Sequence, residues 1–186
     1  GEFSGSSFSV RLHTLHLRFD GKINALPRGL FAMDYQDRGV KKTMLSTEHE
    51  PADARRLFPL WDEPSSRARF SLSVDLPKGQ SAYSNMPESG RAQAPGGRTR
   101  VSFRETPPMP SYLLVLAAGD LERKARRVGA VDVGVVTTRG KSARGAYALQ
   151  VAAELLPWYN AYFGTPYPLP KLDFIATPGG FGGAME

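Results

Sequence analysis

Arg67-Ala68-Arg69-Phe70-Ser71-Leu72-Ser73-Val74-Asp75-Leu76 is the stretch on which the fold class turns. Apolar residues fall at every second position (Ala68, Phe70, Leu72, Val74, Leu76), with charged or hydroxyl residues between them. Side chains alternate faces along a strand, so the pattern predicts a half-buried β-strand over 67–76. Working outward, residues 30–35 and 42–47 are two shorter strand candidates joined by the polar turn Asp37-Arg38-Gly39. Residues 9–19 also alternate, but the phase slips between Val10 and Leu15, and a bulge near His13-Thr14 would reconcile it. Asp20-Gly21 after it is a turn signal. Downstream, 80–85 and 98–103 read as strands, with a loop over 90–97. Residues 111–118 are apolar enough for a strand buried on both faces, and 130–138 alternate through Val131, Val133 and Val135.

The character then changes. Tyr147, Val151, Leu155, Trp158, Tyr159 and Tyr162 recur at helical spacing, which predicts a helix over 142–163 with this aromatic face in the core. Ser142 is a candidate cap. Pro157 lacks a backbone donor and is expected to kink or split the helix, and Gly164 to end it. Tyr167-Pro168-Leu169-Pro170 is a rigid connector to one more strand over 172–176. The basic cluster Arg123-Lys124-Ala125-Arg126-Arg127 reads as a solvated connection. These readings divide the chain into a tail over 1–8, an all-β part over 9–121 and a mixed part over 122–186.

The totals narrow the function classes. The chain has 186 residues, a formal net charge of +6 and no cysteine. Disulfides, thiolate chemistry and cysteine-based zinc sites are excluded. Lys and Arg are scattered, without a long basic block interleaved with aromatics, so a nucleic-acid partner is not expected. No apolar run approaches a membrane span. Gly1-Glu2-Phe3-Ser4-Gly5-Ser6-Ser7 has neither an initiator Met nor a signal-peptide core and reads as a cut point, which leaves the compartment unassigned.

Two stretches carry candidate chemistry. In Thr47-Glu48-His49-Glu50-Pro51-Ala52-Asp53-Ala54-Arg55-Arg56-Leu57-Phe58-Pro59-Leu60-Trp61-Asp62-Glu63-Pro64, charges of alternating sign surround bulky apolar residues. Most of it reads as a folded-over loop, with Asp53, Arg55, Arg56, Asp62 and Glu63 in internal ion pairs around Phe58 and Trp61. Glu50 differs. It precedes Pro51, is biased toward an extended backbone, and could face a cleft. His49 between two glutamates does not make a metal site, because neighbours on an extended chain point to opposite sides. The same argument sets aside His13 and His16. No His-Glu-x-x-His helix, Gly-x-Ser-x-Gly elbow or phosphate-binding Gly-x-x-x-x-Gly-Lys loop occurs. In the second stretch, 174–186, strand formers give way to a glycine-dense loop, Gly179-Gly180-Phe181-Gly182-Gly183-Ala184-Met185-Glu186. Glycine allows close backbone approach to a ligand, and a carboxylate beside exposed main-chain groups can hold an amine.

Asp53-Ala54-Arg55-Arg56-Leu57-Phe58-Pro59-Leu60-Trp61-Asp62-Glu63-Pro64 resembles the DAR-x-x-FPC-W/F-DEP signature of the aminopeptidase N family of zinc metallopeptidases. Gly183-Ala184-Met185-Glu186 resembles the start of its Gly-Ala-Met-Glu-Asn exopeptidase motif. Tyr83-Ser84-Asn85-Met86-Pro87, residues 106–114 and residues 162–173 fit between them in order, so the resemblance covers the chain from about residue 10 onward. It implies a mainly β fold, in which a saddle-shaped β N-terminal domain lacking its first strands is followed by the truncated start of a thermolysin-like α+β catalytic domain.

The resemblance also implies roles. Glu186 would bind the free α-amine of a peptide substrate, Glu50 would share that amine, and Gly183 and Ala184 would pair with the substrate main chain beside Met185. Glu48, which stands where the family often has Gln, and Gly182 are further candidates. A free α-amine has a pKa of about 7.7–8.0 and is largely cationic at neutral pH, so two carboxylates at the end of a groove select an N-terminus. Leu60 replaces the family's cysteine at a packing position. Zn(II), expected in the full-length protein to polarise the first peptide carbonyl and activate water, finds no ligands or general base in this chain. The chain alone is therefore expected to be inactive and to need the remainder of the catalytic domain as its partner. A non-catalytic β-rich scaffold of the same architecture is the alternative; the Gly183–Glu186 loop argues against it.

Overall fold

The structure is a computed structural model that describes residues 14–179. The chain is mainly β, as expected. Its first sheet starts from the hairpin β1 (Gly29–Asp37) and β2 (Val40–Glu48). Asp37 pairs directly with Val40, so the turn has two residues, and Arg38 (φ 50°) and Gly39 (φ 80°) are both left-handed. Positive φ at both central positions is what a type I′ hairpin requires.

Next come β3 (Arg67–Ala68), β4 (Ser73–Leu76), β5 (Ser81–Ser84), β6 (Glu88–Ala94), β7 (Arg98–Phe103), β8 (Met109–Pro110) and β9 (Leu116–Gly119). The last elements among the described residues are β10 (Leu121–Val128), β11 (Val131–Thr138), the helix α1 (Ala146–Phe163) and β12 (Lys171–Ile175). Among the described residues, the sheets have strand orders β1-β2-β9-β5, β4-β7-β6, β3-β8 and β10-β11-β12.

Three apolar clusters hold these layers together. Leu76, Val101 and Phe103 meet Ala82, Leu116 and Ala118, joining the β4-β7-β6 sheet to the first sheet. Met44 and Ala117 meet Leu121 and Val136, joining the first sheet to β10 and β11. Val131, Val133 and Val135 of β11 meet Leu149, Ala152 and Leu156 of α1. This last contact is the core of a crossover, because β11 and β12 run parallel and α1 is the connection between them.

Several expectations are corrected. The 67–76 stretch is not one strand: residues 69–72 leave the ladder between β3 and β4. The Phe70 N–H donates to the Thr106 hydroxyl and the Thr106 N–H donates to the Phe70 carbonyl, both at 3.0 Å. The chain thus passes from β8 to β7 as partner, with Ala68 exposed and Phe70, Leu72, Val74 and Leu76 turned inward. Residues 14–19 form no strand and are exposed, and residues 9–13 lie outside the described residues. Residues 90–94 belong to β6, so the 90–97 stretch closes a hairpin rather than forming a loop. Residues 111–113 form a 3-10 turn, and the buried strand begins only at Leu116. The basic cluster 123–127 lies within β10, which pairs along its whole length with β11.

The helix begins with a 3-10 turn over Ser142–Gly145 and has no side-chain cap bond from Ser142. Pro157 does not split it, and Gly164 ends it in the left-handed conformation. Its buried residues are Leu149, Ala152, Ala153 and Leu156. Tyr147, Leu155, Trp158, Tyr159 and Tyr162, expected in the core, are exposed, with Trp158 and Tyr162 stacked at 5.0 Å.

Gly134 of β11 marks a close approach. A methyl group there would overlap the Arg123 guanidinium and the Asp173 carboxylate, which pair across this position. Gly134→Ala is therefore expected to destabilise the protein by about 1–3 kcal/mol, the usual effect of overpacking. Urea denaturation reads this as a lower midpoint, and an unchanged midpoint would show that the pair can move aside.

Candidate functional site

The site residues described by the structure sit where β2 ends. The strand is held to its neighbour by Thr47, whose buried hydroxyl accepts the Leu116 N–H at 2.9 Å. His49 follows, fully buried, while Glu50 beyond it is exposed. Alternation along the chain thus points the Glu50 carboxylate outward and the imidazole inward. Glu50 lies in a turn, and the Glu50–Pro51 peptide bond is cis. The Glu50 N–H donates to the Glu48 carboxylate at 3.3 Å, and the Asp53 N–H donates to the His49 carbonyl at 2.7 Å. Glu48 thereby braces the turn that carries Glu50.

The loop beyond is folded over by ion pairs, as expected of Asp53, Arg55, Arg56 and Asp62, whereas Glu63 is exposed and forms no ion pair with another described residue. A 3-10 turn over Ala54–Arg56 places Arg56 against Asp53 at 2.6 Å. Asp62, with only 2% of its side chain exposed, accepts the Arg55 N–H at 3.0 Å, the Arg55 guanidinium at 3.1 Å and the Ser111 hydroxyl at 2.7 Å. Burial pushes the Asp62 pKa up, but the Arg55 N–H, the Ser111 hydroxyl and the Arg55 guanidinium outweigh it and hold the carboxyl below the usual value. The expectation of Trp61 at the loop's centre fails, since Trp61 is 85% exposed. Phe58 instead packs edge-on against Phe70. Sequence reasoning missed Ser111, whose contact with Asp62 spans 49 positions and carries no local signal.

The second half of the candidate site continues from β12. The Ala176 N–H donates to the Val136 carbonyl at 2.9 Å, and the Thr177 hydroxyl donates to the Gly179 carbonyl at 2.9 Å. Gly182, Gly183, Ala184, Met185 and Glu186 lie outside the described residues.

The family described as Peptidase M1 N-terminal domain matches residues 3–113. Aminopeptidase N of Acetobacter pasteurianus is 44% identical over 176 residues, covering 94% of this chain and 50% of that protein. Aminopeptidase M1-A of Oryza sativa subsp. japonica is 42% identical over 174 residues, covering 93% of this chain and 20% of its own length. Puromycin-sensitive aminopeptidase of Caenorhabditis elegans is 38% identical over 175 residues, covering 92% and 18%. The chain belongs to the aminopeptidase N (M1) family. It spans half the length of the bacterial relative and about a fifth of the plant and nematode ones.

The family implies zinc in its full-length members. Among the described residues no three His, Cys, Asp or Glu side chains converge, so these residues do not fit a zinc ion. Among them, too, no helix is long and apolar enough to cross a membrane.

Proposed function

We propose that this chain is the N-terminal part of a zinc-dependent aminopeptidase, that it binds and orients the peptide N-terminus, and that it does not hydrolyse peptides alone. Residues 9–121 are its β N-terminal domain and 122–186 the start of its catalytic domain. The observation that carries the reading is Glu50: an exposed carboxylate on a braced turn at the end of β2, with no ion pair to another described residue, in a chain of the aminopeptidase family. Glu50 and Glu186 together hold the substrate α-ammonium group, and Gly183, Ala184 and Met185 present main chain to the peptide. Glu48 orients Glu50.

The β10-β11-α1-β12 unit that starts at Leu121 supports the division near that residue. The exposed face of α1 supports the need for further polypeptide. A groove of about 650 Å³, lined by Leu155, Tyr159, Phe163, Tyr167 and Phe174 among others, is almost wholly apolar. Its occupant is the rest of the catalytic domain, which the longer relatives have the length to supply.

Glu50→Ala and Glu186→Ala in the full-length protein test the reading. Each is expected to lower kcat/KM for peptides with a free N-terminus roughly tenfold to a hundredfold, the worth of one charge-assisted hydrogen bond. Each should also narrow the preference over N-acetylated peptides. Intact preference for free N-termini in both variants sinks the amine-binding role.

A further inference from the structure

His49 has no part in amine binding, yet its burial is the most unusual feature of the turn. The residue is 0% exposed, and neither Nδ1 nor Nε2 has a hydrogen-bond partner. The Asp53 main chain lies beside the ring without completing a bond of acceptable geometry. The charged groups that act on the ring are Asp62 and Asp53. Both are engaged elsewhere, Asp53 by Arg56 and Asp62 by Arg55 and Ser111. The His49 carbonyl accepts the Asp53 N–H, closing the segment that carries Glu50, and Glu48 takes the Glu50 N–H.

We propose that His49 is a positioning residue for the amine site: its uncharged ring is the buried pin of the 48–53 turn, and it fixes the direction of Glu50 only while it stays neutral. The proposal rests on the reading that Glu50 binds the substrate amine. A buried ring without partners tolerates the neutral form far better than the cation, which needs water or a carboxylate. Protonation would draw Asp53 or Asp62 away from its arginine, and both carboxylates act on the ring from the folded-over loop. Burial holds the His49 pKa below its ordinary value, while the Asp53 main chain and the Asp62 and Asp53 carboxylates pull weakly the other way. The unfolded turn therefore binds the proton more readily than the folded one. The order of the turn is complete above about pH 6.5, the ordinary histidine value, and declines as pH falls below it.

The experiment compares wild type, His49→Ala and His49→Met in the full-length protein, since Met has a similar volume and does not titrate. KM and kcat for a peptide with a free N-terminus are measured from pH 8 to 5, together with hydrogen-exchange protection of the Glu50 and Asp53 amides. His49→Ala is expected to raise KM about tenfold at pH 7.5, to leave kcat within about twofold, and to lower protection at both amides. His49→Met should restore both and abolish the rise in KM that wild type is expected to show as pH falls below about 6.5. Wild-type KM and protection in His49→Ala, or an acid rise in KM in His49→Met as steep as that of wild type, overturns the proposal. If Glu50→Ala leaves KM unchanged, the amine reading beneath it fails. If Glu50→Ala raises KM while His49→Ala keeps full protection, the pin alone fails.

Discussion

Replacing Asp173 by alanine is expected to destabilise the protein by about 3–5 kcal/mol, the penalty for breaking a buried ion pair from one side. Asp173 has 6% of its side chain exposed and serves two cations at once. Its Oδ1 accepts from Arg123 at 2.7 and 2.8 Å, and its Oδ2 accepts from Lys171 at 2.7 Å. The side chains of Arg123 and Lys171 are themselves only 18% and 9% exposed. Without the carboxylate, two poorly hydrated positive charges would face each other beside β11. Asp132 can neutralise only Arg123, at 2.9 Å, and with 42% of its side chain exposed it does so largely in water. Asp132→Ala is therefore the internal control, expected to lose under about 1 kcal/mol. Urea denaturation of both variants decides the matter: the midpoint should fall sharply for Asp173→Ala and little for Asp132→Ala, at similar m-values. A loss below 1 kcal/mol for Asp173→Ala would show that water reaches the cluster.

This cluster explains why β10 was illegible in the sequence. Glu122, Arg123, Lys124, Arg126 and Arg127 have the composition of a solvated segment, and the partner that draws Arg123 inward stands 50 positions away. Local pattern carries no record of such a pairing. By contrast, the β1–β2 hairpin was legible because Arg38-Gly39 supplies the two left-handed residues locally. The alternation over 67–76 recorded most of the residues that face the core: Phe70, Leu72, Val74 and Leu76 are all at least partly buried, whereas Ala68, in the short strand β3, is exposed. It could not record that the backbone changes partner at Phe70, because periodicity reports burial and not hydrogen bonding.

The helix shows a different limit. Two of its faces are apolar, and periodicity cannot tell which one meets β11. The small-residue face with Ala152, Ala153 and Leu156 packs, since short side chains let the helix sit close on the sheet, and the aromatic face is left outside. At the candidate site, the opposite facing of His49 and Glu50 was legible from strand alternation. The turn that aims Glu50 was not, because it is built by the Glu48 carboxylate, the His49 carbonyl and the folded-over loop.

That loop depends on Asp62, and Asp62→Ala is expected to destabilise it by about 2–4 kcal/mol. The carboxylate is the acceptor for the Arg55 N–H and for the Ser111 hydroxyl, which belongs to a residue only 3% exposed. Removing it leaves both donors without partners, at about 1–3 kcal/mol for each that water cannot reach. The exposed Arg55 guanidinium finds water and adds little. The effect should depend on pH in a defined direction. The folded-state pKa of Asp62 lies below its unfolded value, so the ionised form contributes its full stability above about pH 4 and loses it as pH falls through the folded value. The stability gap between wild type and Asp62→Asn should thus be constant from pH 8 to 5 and close below pH 4. A gap that widens on acidification would mean that Asp62 is protonated in the fold. Because Asp53 of the same loop donates its N–H to the His49 carbonyl, Asp62→Ala should also reduce the hydrogen-exchange protection of the Asp53 amide. Unchanged protection there would uncouple the Asp62 anchor from the turn that aims Glu50.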